Sequence, residues 1–387
     1  MGLAAYAAHL GYRSVVFTSS ATSREKRSLL TAYGAELRLV DTFVPKSHPD
    51  SMRAVAERFV DATPGAWLAG QYDNPANPEA HWLTTGPELW DETEGRITHL
   101  VATVGTGGTI SGTGGHLKKV SGGRVQVVGA DPITSTYSGG DGSAKYIEGA
   151  GHFVHPDADV DPWPESLDTS VIDRYLAVDD RTAIETIREL ARTEGILAGG
   201  SSGVALAAAF RLAEELTADD TVVVILPDSG RAYLSTYFDD GWLRETGFSD
   251  DSDVRTVRDV VTSEGDFDPI TIDRTSTVHD ARNELRSKEV EPDSPVLVVY
   301  ERSRAQPLHP GEVSGWTTVR RLAEVEAAEG GDSSVGRIAW PAPPRIPIGL
   351  PASEAIARLD AEDPRWAAAL VLEDGRVGGV LSPRDTP

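Results

Sequence analysis

The sequence predicts an α/β fold over residues 1–248, with parallel sheets covered by helices on both faces, and a smaller α+β region after it. Short apolar strands alternate with helical segments from the start of the chain to about residue 248. These strands are continuous apolar runs, which is typical of parallel strands buried on both faces. Beyond residue 248 the composition changes and a second pattern begins.

The elements of the first region follow in order. Small and apolar residues predict a helix over residues 2–10, and residues 13–17 form the first strand. A second helix has Thr22 or Ser23 as its N-cap, ends at Gly34, and leads into the strand "AELRLV". The later strands are "THLVATV", "VQVVGAD" and "TVVVILPD"; the first and the last of them run into helices.

The segment "GFSDDSDVRTVRD" marks the change of composition, and its aspartates and serines predict a linker over residues 249–255. After it, "TVHDARNEL" (277–285) and "PASEAIARL" (351–359) align at a spacing of 74 residues, and each precedes an apolar strand and a glycine-led segment. We therefore predict two β-α-β-β copies, about 256–325 and 333–387, packed as a pair. A single α+β domain with chance similarity is the alternative.

Composition excludes several classes of function. The formal net charge is −24, from 36 Lys and Arg against 60 Asp and Glu, which opposes binding to nucleic acid or to an anionic membrane. The absence of cysteine excludes disulfides, thiolate catalysis and cysteine-ligated zinc. No apolar stretch reaches the roughly 18 residues of a membrane span, and the start lacks a basic signal region. We expect a soluble, cytoplasmic protein without a metal site.

The strongest chemical signal is a glycine-rich loop between a strand and a helix, "VATVGTGGTISGTGG" (101–115). Glycines let backbone N–H groups approach an anion, and a helix N-terminus adds partial positive charge. No lysine follows the last glycine, and Ile110 replaces the third glycine of a dinucleotide fingerprint, so neither nucleotide motif is present. The residues predicted to hold a phosphate are Gly105, Thr106, Gly107, Gly108 and Thr109. A tight turn that binds nothing is the alternative.

A second glycine motif, "GILAGGSSG", precedes a long apolar helix. Residues 199–203 formally fit the G-x-S-x-G motif of hydrolases, but the chain has no histidine between His155 and His279, which disfavours a serine hydrolase. Ser201 is predicted instead to present its hydroxyl to a cofactor or to cap the helix.

Two further segments carry candidate ligands. In "LPDSGRAYLSTYFDDGWL", Pro227 and Asp228 end a strand, and Asp228 with Ser229 is predicted to cap the next helix. In "AGQYDNPANPEAHWLTT", Gln71 stands at a predicted strand end before a rigid polar turn. Its amide is predicted to donate to a substrate carboxylate or to brace the loop.

Together these motifs resemble the fold-type II pyridoxal-phosphate enzymes of the cysteine synthase and cystathionine β-synthase family. The resemblance runs over about residues 1–248 and is carried, in the family's order, by "QYDNPANPEAHWLTT", "VGTGGTISG", "EGAG", "GILAGGSSG" and "LPDSGRAYLSTYFDDGWL". The tail from about residue 253 resembles the tandem regulatory pair, or Bateman module, of cystathionine β-synthases.

The resemblance implies pyridoxal 5′-phosphate as the cofactor. The residues 105–109 would hold its phosphate, and the neutral Ser201 hydroxyl would bond its pyridine nitrogen, which suits β-elimination and replacement better than transamination. The other implied contacts are Gln71 and Gly149 for the substrate, and Pro227 and Asp228 for the cofactor. The implied reaction makes cystathionine from L-serine and L-homocysteine; O-acetylserine and sulfide, as in cysteine synthase, are the alternative. The family also implies a homo-oligomer.

The lysine on which this family anchors its cofactor as a Schiff base is not in the sequence. It belongs to an S-x-K-[DN]-R segment upstream of an S-G-N-T-G loop, and "MGLAAYAAHLGY" fits the helix that follows this loop. All six lysines present are predicted to be solvated surface residues: Lys26, Lys46, Lys118, Lys119, Lys145 and Lys288. We therefore expect an N-terminally truncated chain that is inactive or nearly so. A non-catalytic, ligand-binding relative is the second hypothesis.

In the tail, "GVLSPRD" places a serine three residues before an aspartate, the spacing that holds an adenosine ribose in such domain pairs. Ser382 and Asp385 are therefore predicted to bind an adenosyl ligand. In the first copy, Thr318 and Arg321 stand at the equivalent positions and offer no carboxylate acceptor.

Overall fold

The computed structural model describes residues 1–159, 161–249, 256–261, 269–301, 303, 307–362 and 368–381. The chain forms two compact units, Met1–Asp239 and Asp240–Pro387. Residues 250–255 of the predicted linker and the predicted ligand residues Ser382 and Asp385 lie outside the described residues.

Within the described residues, the first unit has eight α-helices and six strands. The helices are α1 (Gly2–Leu10), α2 (Arg24–Ala32), α3 (Met52–Asp61), α4 (Ala76–Leu83), α5 (Thr85–Glu92), α6 (Gly108–Ser121), α7 (Asp180–Thr193) and α8 (Gly200–Ala213). The strands are β1 (Val15–Thr18), β2 (Glu36–Leu39), β3 (His99–Thr103), β4 (Gln126–Pro132), β5 (Arg174–Val178) and β6 (Val222–Val224).

The pairs among the strands β1–β6 that the structure describes are parallel, which confirms the predicted parallel α/β architecture. The main sheet has the order β5-β4-β3-β6, and β1 pairs with β2 in a separate sheet. The central strands β3 and β4 are fully buried at Leu100 and Val127, because α6 and α8 both contact them. Since β3 and β6 are parallel neighbours, the segments that follow them, with Gly105 and Pro227, lie at one edge of the sheet.

The predicted ends of the first helices are confirmed. Helix α1 covers residues 2–10, as predicted from its small and apolar residues. Ser23 is the N-cap of α2, and its hydroxyl accepts a hydrogen bond from the Lys26 N–H. Gly34, just after that helix, has φ +80°, a left-handed conformation that favours glycine.

Helices α7 and α8 pack closely at Gly203. A Cβ there would lie 2.1 Å from the Ala183 backbone oxygen and 2.9 Å from Ile187 Cγ2. We expect Gly203→Ala to lower the free energy of unfolding by about 2 kcal/mol, because the two helices must move apart. Urea unfolding measures this loss. Gly2→Ala, whose Cβ would meet nothing within 4 Å, is the control; equal midpoints for both variants would contradict the close packing.

The second unit contains a further set of helices and strands. The helices are α9 (Asp240–Glu245), α10 (Val257–Val261), α11 (Val278–Ser287), α12 (Val319–Glu329), α13 (Val335–Ile338) and α14 (Ala352–Glu362). The strands are β7 (Thr271–Asp273), β8 (Val296–Val299), β9 (Val313–Thr317), β10 (Arg345–Pro347), β11 (Ala369–Glu373) and β12 (Arg376–Leu381).

The second unit repeats one β-α-β-β order. The sheets β7-β8-β9 and β10-β11-β12 each join a parallel pair to an antiparallel pair. The aligned residues Ala281 and Ala355 are fully buried, each in the core of its own copy. Leu297 and Leu370 meet in a third core that both copies share. A regulatory role for this pair stays a prediction.

Candidate functional site

The glycine loop between β3 and α6 leads into a helix N-terminus without a side-chain cap. Gly107 is the N-cap of α6 and has φ +88°, and no side chain accepts hydrogen bonds from the first turn. Such an end suits an anion, because its first N–H groups lack intrahelical partners. The loop also has no room for side chains. A Cβ on Gly107 would lie 2.5 Å from Leu167 Cβ, and one on Gly108 would lie 2.0 Å from Asn77 Oδ1.

The polar loop before α4 packs against the glycine loop through Asn77. The Asn77 amide donates to the Gln71 backbone oxygen at 2.8 Å and to Thr106 Oγ1 at 3.0 Å. Asn77 is therefore the bracing amide of this loop. Gln71 is exposed and lies in a turn, so the prediction that it ends a strand is wrong. Its predicted contact with a substrate carboxylate stays a prediction.

Helix α4 supplies a second contact to the glycine loop. His81 Nε2 lies 3.1 Å from Thr109 Oγ1, and His81 Nδ1 lies 2.9 Å from Thr85 Oγ1. Burial lowers the pKa of His81, so its ring is neutral at pH 7 and adds no charge beside the loop. The sequence places Asn77 in the rigid polar turn, but neither its bond to Thr106 nor the contact of His81 with Thr109 was predicted.

Ser201 lies in the first turn of α8, next to the end of β3. The Thr103 hydroxyl donates to the Ser201 backbone oxygen at 2.6 Å, which links the start of the glycine loop to the second glycine motif. Gly199 is the N-cap of α8, and no side chain caps this helix, so the alternative prediction that Ser201 is a cap is wrong. Ser201 is 5 % exposed, at the same edge of the sheet as the glycine loop.

Two stacked tyrosines pack against the second glycine motif. The rings of Tyr233 and Tyr237 lie 5.0 Å apart. A Cβ on Gly199 would lie 2.7 Å from the Tyr233 ring, and one on Gly200 would lie 2.6 Å from the Tyr237 ring. Glycine is therefore required at positions 199 and 200, because a side chain there would overlap the tyrosine rings. Neither tyrosine was predicted from the sequence, although they stand four residues apart in "RAYLSTYF".

Asp228 follows β6 and lies against Gly199. One carboxylate oxygen accepts from the Tyr233 hydroxyl at 2.6 Å, and the Asp228 backbone oxygen accepts from the Gly199 N–H at 3.1 Å. The other carboxylate oxygen, Oδ1, is buried and has no hydrogen-bond partner in the part of the chain that the structure describes. Asp228 thus caps no helix, contrary to prediction. Ser229 does cap a short 3-10 helix, Gly230–Tyr233.

The EGAG segment, residues 148–151, borders the start of the glycine loop. A Cβ on Gly105 would lie 2.5 Å from the Gly149 backbone oxygen, and the Gly151 N–H donates to the Val104 oxygen at 2.6 Å. Gly149 has φ +78°, which a side chain would strain. The structure therefore brings the predicted substrate residue Gly149 to the predicted phosphate loop.

Lys26 is not a solvated surface lysine, contrary to prediction. Its Nζ lies 3.0 Å from Glu148 Oε2 and 4.3 Å from the centre of the Tyr233 ring, and its side chain is 18 % exposed. The sequence could not show this burial, because the contact joins α2 to the EGAG segment across 122 residues.

Two other lysines also depart from the surface prediction. The Lys145 ammonium donates to the Ile147 backbone oxygen at 2.8 Å, and burial lowers the pKa of Lys145. Lys118 pairs with Asp173 at 2.7 Å, and its side chain is 22 % exposed. Lys118 thus pairs with a residue just before β5, and Lys145 bonds a backbone oxygen two residues further along the chain.

A buried carboxyl group stands at the end of β4. Asp131 Oδ2 accepts from the Ser138 N–H at 3.0 Å, while Asp131 Oδ1 has no partner among the described residues. Burial raises the pKa of Asp131 to about 6, although hydrogen bonds from Ser135 and Ser138 act in the opposite direction. The neighbouring Tyr137 hydroxyl donates to the Gly105 backbone oxygen at 2.8 Å. Tyr137, six residues after Asp131, therefore supports the glycine loop through the Gly105 backbone oxygen.

A sequence comparison decides the family. Residues 1–228 match the profile of the family described as "Pyridoxal-phosphate dependent enzyme", which is more than half of the chain. The chain belongs to the pyridoxal-phosphate dependent enzymes. Pyridoxal 5′-phosphate is the cofactor of this family, which confirms the predicted cofactor class.

Curated relatives of this pyridoxal-phosphate dependent enzyme include two kinds of synthase. The cystathionine beta-synthase of Apis mellifera is 36 % identical over 248 residues, 64 % of this chain and 48 % of that relative. The one of Saccharomyces cerevisiae is 38 % identical over 266 residues, 65 % and 50 % of the two chains. A cysteine synthase of Staphylococcus aureus is 41 % identical over 239 residues, 61 % and 73 % of the two chains. The chain thus spans about half the length of the cystathionine beta-synthases.

Two further properties of the described residues bear on the class of protein. No group of three or more His, Cys, Asp or Glu side chains is placed there to hold a metal ion. None of the helices in the described ranges has the length and apolar character needed to cross a bilayer.

Proposed function

We propose that this enzyme holds pyridoxal 5′-phosphate between the N-termini of α6 and α8. Residues 105–109 bind the phosphate, and the Ser201 hydroxyl bonds the pyridine nitrogen. Pro227 and Asp228 border the same space. The observation that carries the proposal is the Thr103–Ser201 hydrogen bond of 2.6 Å, because it joins the strand end that leads into the glycine loop to the first turn of α8, and neither α6 nor α8 has a side-chain cap. When bound, the cofactor supplies an electron sink for an amino-acid substrate.

The residues around this space fit such a cofactor. Backbone N–H groups at the start of α6 provide hydrogen bonds to a phosphate without the desolvation of a cationic side chain. A serine hydroxyl is neutral, so it can donate its hydrogen to an unprotonated ring nitrogen. The glycines keep the cradle open, since a Cβ on Gly105 or Gly108 would overlap neighbouring atoms.

We propose β-replacement in sulfur amino-acid metabolism as the reaction, with L-serine and L-homocysteine giving cystathionine. The likeness to two cystathionine beta-synthases supports it, as do the close approach of Gly149 to Gly105 and the Asn77 amide that links the Gln71 backbone oxygen to Thr106. The use of O-acetylserine and sulfide is the second candidate, favoured by the cysteine synthase at 41 % identity. A non-catalytic relative that keeps the cofactor site is the third.

One experiment separates these candidates. The full chain is loaded with pyridoxal 5′-phosphate, reduced with borohydride and digested, and any modified lysine is located by mass spectrometry. A single stoichiometric lysine adduct with cystathionine formation supports the first reaction, and cysteine formation from O-acetylserine supports the second. Cofactor binding without an adduct or product supports the non-catalytic relative. A chain that does not bind the cofactor overturns the proposal.

The pyridine contact is tested at Ser201. We expect Ser201→Ala to weaken the binding of pyridoxal 5′-phosphate about tenfold, because the ring nitrogen loses its partner. Fluorescence titration measures this affinity. Ser202→Ala is the matched control, since the Ser202 hydroxyl is buried without a hydrogen-bond partner in the described chain. An equal loss in both variants would show that the assignment of Ser201 is wrong.

The adenosyl ligand, the homo-oligomer and the cytoplasmic location stay predictions. For the ligand, the reason is structural: Ser382 and Asp385 lie outside the described residues.

A further inference from the structure

Helix α4 packs directly against the glycine loop and the start of α6. Glycines of α6 make this close approach possible. A Cβ on Gly108 would lie 2.0 Å from Asn77 Oδ1, and a Cβ on Gly112 would lie 2.8 Å from the Cβ of His81. Asn77 and His81 stand four residues apart in α4, so they share one face of the helix. That face is the one that meets the glycine loop.

The Asn77 amide determines how the Thr106 hydroxyl is oriented. Asn77 Nδ2 lies 2.8 Å from the Gln71 backbone oxygen and 3.0 Å from Thr106 Oγ1. A backbone oxygen only accepts hydrogen bonds, so the Asn77 group that faces it must be the NH2 group. The same NH2 group can only donate to Thr106. Thr106 Oγ1 is therefore the acceptor in this bond, and its own hydrogen is available to a further acceptor.

The His81 imidazole stands in a similar relation to Thr109. His81 Nε2 lies 3.1 Å from Thr109 Oγ1, and His81 Nδ1 lies 2.9 Å from Thr85 Oγ1. A neutral imidazole has one donor and one acceptor nitrogen. When the Thr85 hydroxyl donates to Nδ1, Nε2 carries the proton and donates to Thr109, so the Thr109 hydrogen is available as well. In the other tautomer, Nε2 would accept the Thr109 hydrogen.

A phosphate at the glycine loop distinguishes between these two arrangements. Ionised phosphate oxygens only accept hydrogen bonds, so a hydroxyl that binds them must donate. Hydroxyls that are already oriented lose less conformational freedom when the anion binds. The arrangement in which both threonine hydrogens are available is therefore the one that fits a phosphate.

We propose that Asn77 and His81 are positioning residues of the phosphate site. Asn77 directs the hydroxyl hydrogen of Thr106 toward the cofactor phosphate. His81, as the neutral Nε2–H tautomer, does the same for Thr109. This inference rests on the proposed binding of pyridoxal 5′-phosphate at residues 105–109, and it adds two residues that act on the phosphate through other side chains.

Calorimetry tests this role with two ligands that differ only in the phosphate: 4-deoxypyridoxine 5′-phosphate and 4-deoxypyridoxine. Neither has the aldehyde of the cofactor, so binding is measured without covalent reaction. We expect His81→Leu to bind the phosphorylated ligand about tenfold more weakly and the other ligand as the unmodified chain does, because a phosphate contact is lost. His81→Gln keeps an N–H donor and should restore the affinity to within about twofold.

The matched control is His99→Leu. His99 Nδ1 lies 2.8 Å from Thr98 Oγ1, so this pair also joins an imidazole to a threonine hydroxyl. It stands at the start of β3, whereas the glycine loop follows the end of that strand. His99→Leu should bind both ligands as the unmodified chain does.

A double-mutant cycle shows whether His81 acts through Thr109. Thr109→Val removes the hydroxyl with little change of shape. In the Thr109→Val background, His81→Leu should cost no further affinity for the phosphorylated ligand. In the Thr106→Val background it should still cost about tenfold. Asn77→Leu should show the opposite pattern, with no further loss in the Thr106→Val background.

The tautomer of His81 is measured in the unmodified chain. With the phosphorylated ligand bound, nitrogen NMR of histidine-labelled protein should show a protonated Nε2 and an unprotonated Nδ1 at His81. The signals are assigned by their absence from the spectrum of His81→Gln. A proton on Nδ1 alone would overturn the role of His81, because Nε2 would then accept the Thr109 hydrogen.

The other outcomes separate a positioning role from packing. An equal loss for both ligands in His81→Leu, or a full further loss in the Thr109→Val background, would mean that His81 only packs α4 against α6, and the inference is overturned. The cycle uses the phosphorylated ligand alone, so it decides even if 4-deoxypyridoxine binds too weakly to measure. If His81→Leu does not fold, the tautomer and the Asn77→Leu cycle decide. An unmodified chain that does not bind the phosphorylated ligand contradicts the proposed function itself, and this inference with it.

Discussion

The Gly108→Ala variant is expected to bind pyridoxal 5′-phosphate about 100-fold more weakly than the unmodified chain, a loss of roughly 2.7 kcal/mol. The new Cβ would lie 2.0 Å from Asn77 Oδ1 and 2.3 Å from Asn77 Cγ. The Asn77 amide would have to leave, and with it the hydrogen bonds to Gln71 and Thr106. The N–H groups at the start of α6 would then lose the orientation that a phosphate requires.

Fluorescence titration measures this affinity, and a double-mutant cycle shows whether Asn77 transmits the loss. Asn77→Ala removes the obstructing side chain, so Gly108→Ala should cost less affinity in that background than alone. Urea unfolding of each variant separates weaker binding from a smaller folded fraction. An unchanged affinity in Gly108→Ala would mean that the cofactor phosphate is not held by this loop.

The second large effect is expected at Asp131, where the stability of the chain should depend on pH. Burial raises the pKa of Asp131 from its ordinary value of 3.8 to about 6, so the folded chain binds this proton more tightly than the unfolded chain. The resulting stabilisation is fully present below about pH 3.8 and is lost as the pH rises through about 6. A shift of this size corresponds to about 3 kcal/mol.

We expect Asp131→Asn to remove this dependence and to be more stable than the unmodified chain at pH 8. The asparagine oxygen can still accept from the Ser138 N–H, and no charge is left in the interior. Urea unfolding between pH 4 and 8 measures the difference between the two chains. Asp219→Asn, at an exposed position, should keep the pH dependence of the unmodified chain. A constant difference between Asp131→Asn and the unmodified chain across this range would refute the titration.

The sequence predicted those features that depend on local pattern. Continuous apolar runs predicted the parallel strands, because strands such as β3 and β4 are covered on both faces. Ser23 was one of two candidate caps and is the cap. The glycines of residues 105–109 predicted a helix N-terminus whose backbone N–H groups can approach an anion, because so many glycines would otherwise weaken the start of the helix.

The features that sequence analysis missed depend on distant partners. Lys26 stands among charged residues on α2 and reads as a surface lysine, but its acceptor Glu148 lies 122 positions away. Asp228 reads as a helix cap because aspartate often is one. Its carboxylate instead accepts a hydrogen bond from the Tyr233 hydroxyl, five residues further along the chain. Tertiary packing determines which hydrogen-bond acceptor a side chain reaches, and a local sequence pattern carries no information about that packing.

The strand order β5-β4-β3-β6 has a consequence for how the site can change. From β3 the chain winds outward to β4 and β5, and it then returns to β6 on the opposite side of β3. The loops after β3 and β6 therefore diverge from adjacent strands and leave a crevice, a topological switch point, before any side chain is chosen. The contact proposed for Ser201 concerns which molecule this crevice binds. The position of the crevice is determined by the strand order, and only a rearrangement of the strands would move it.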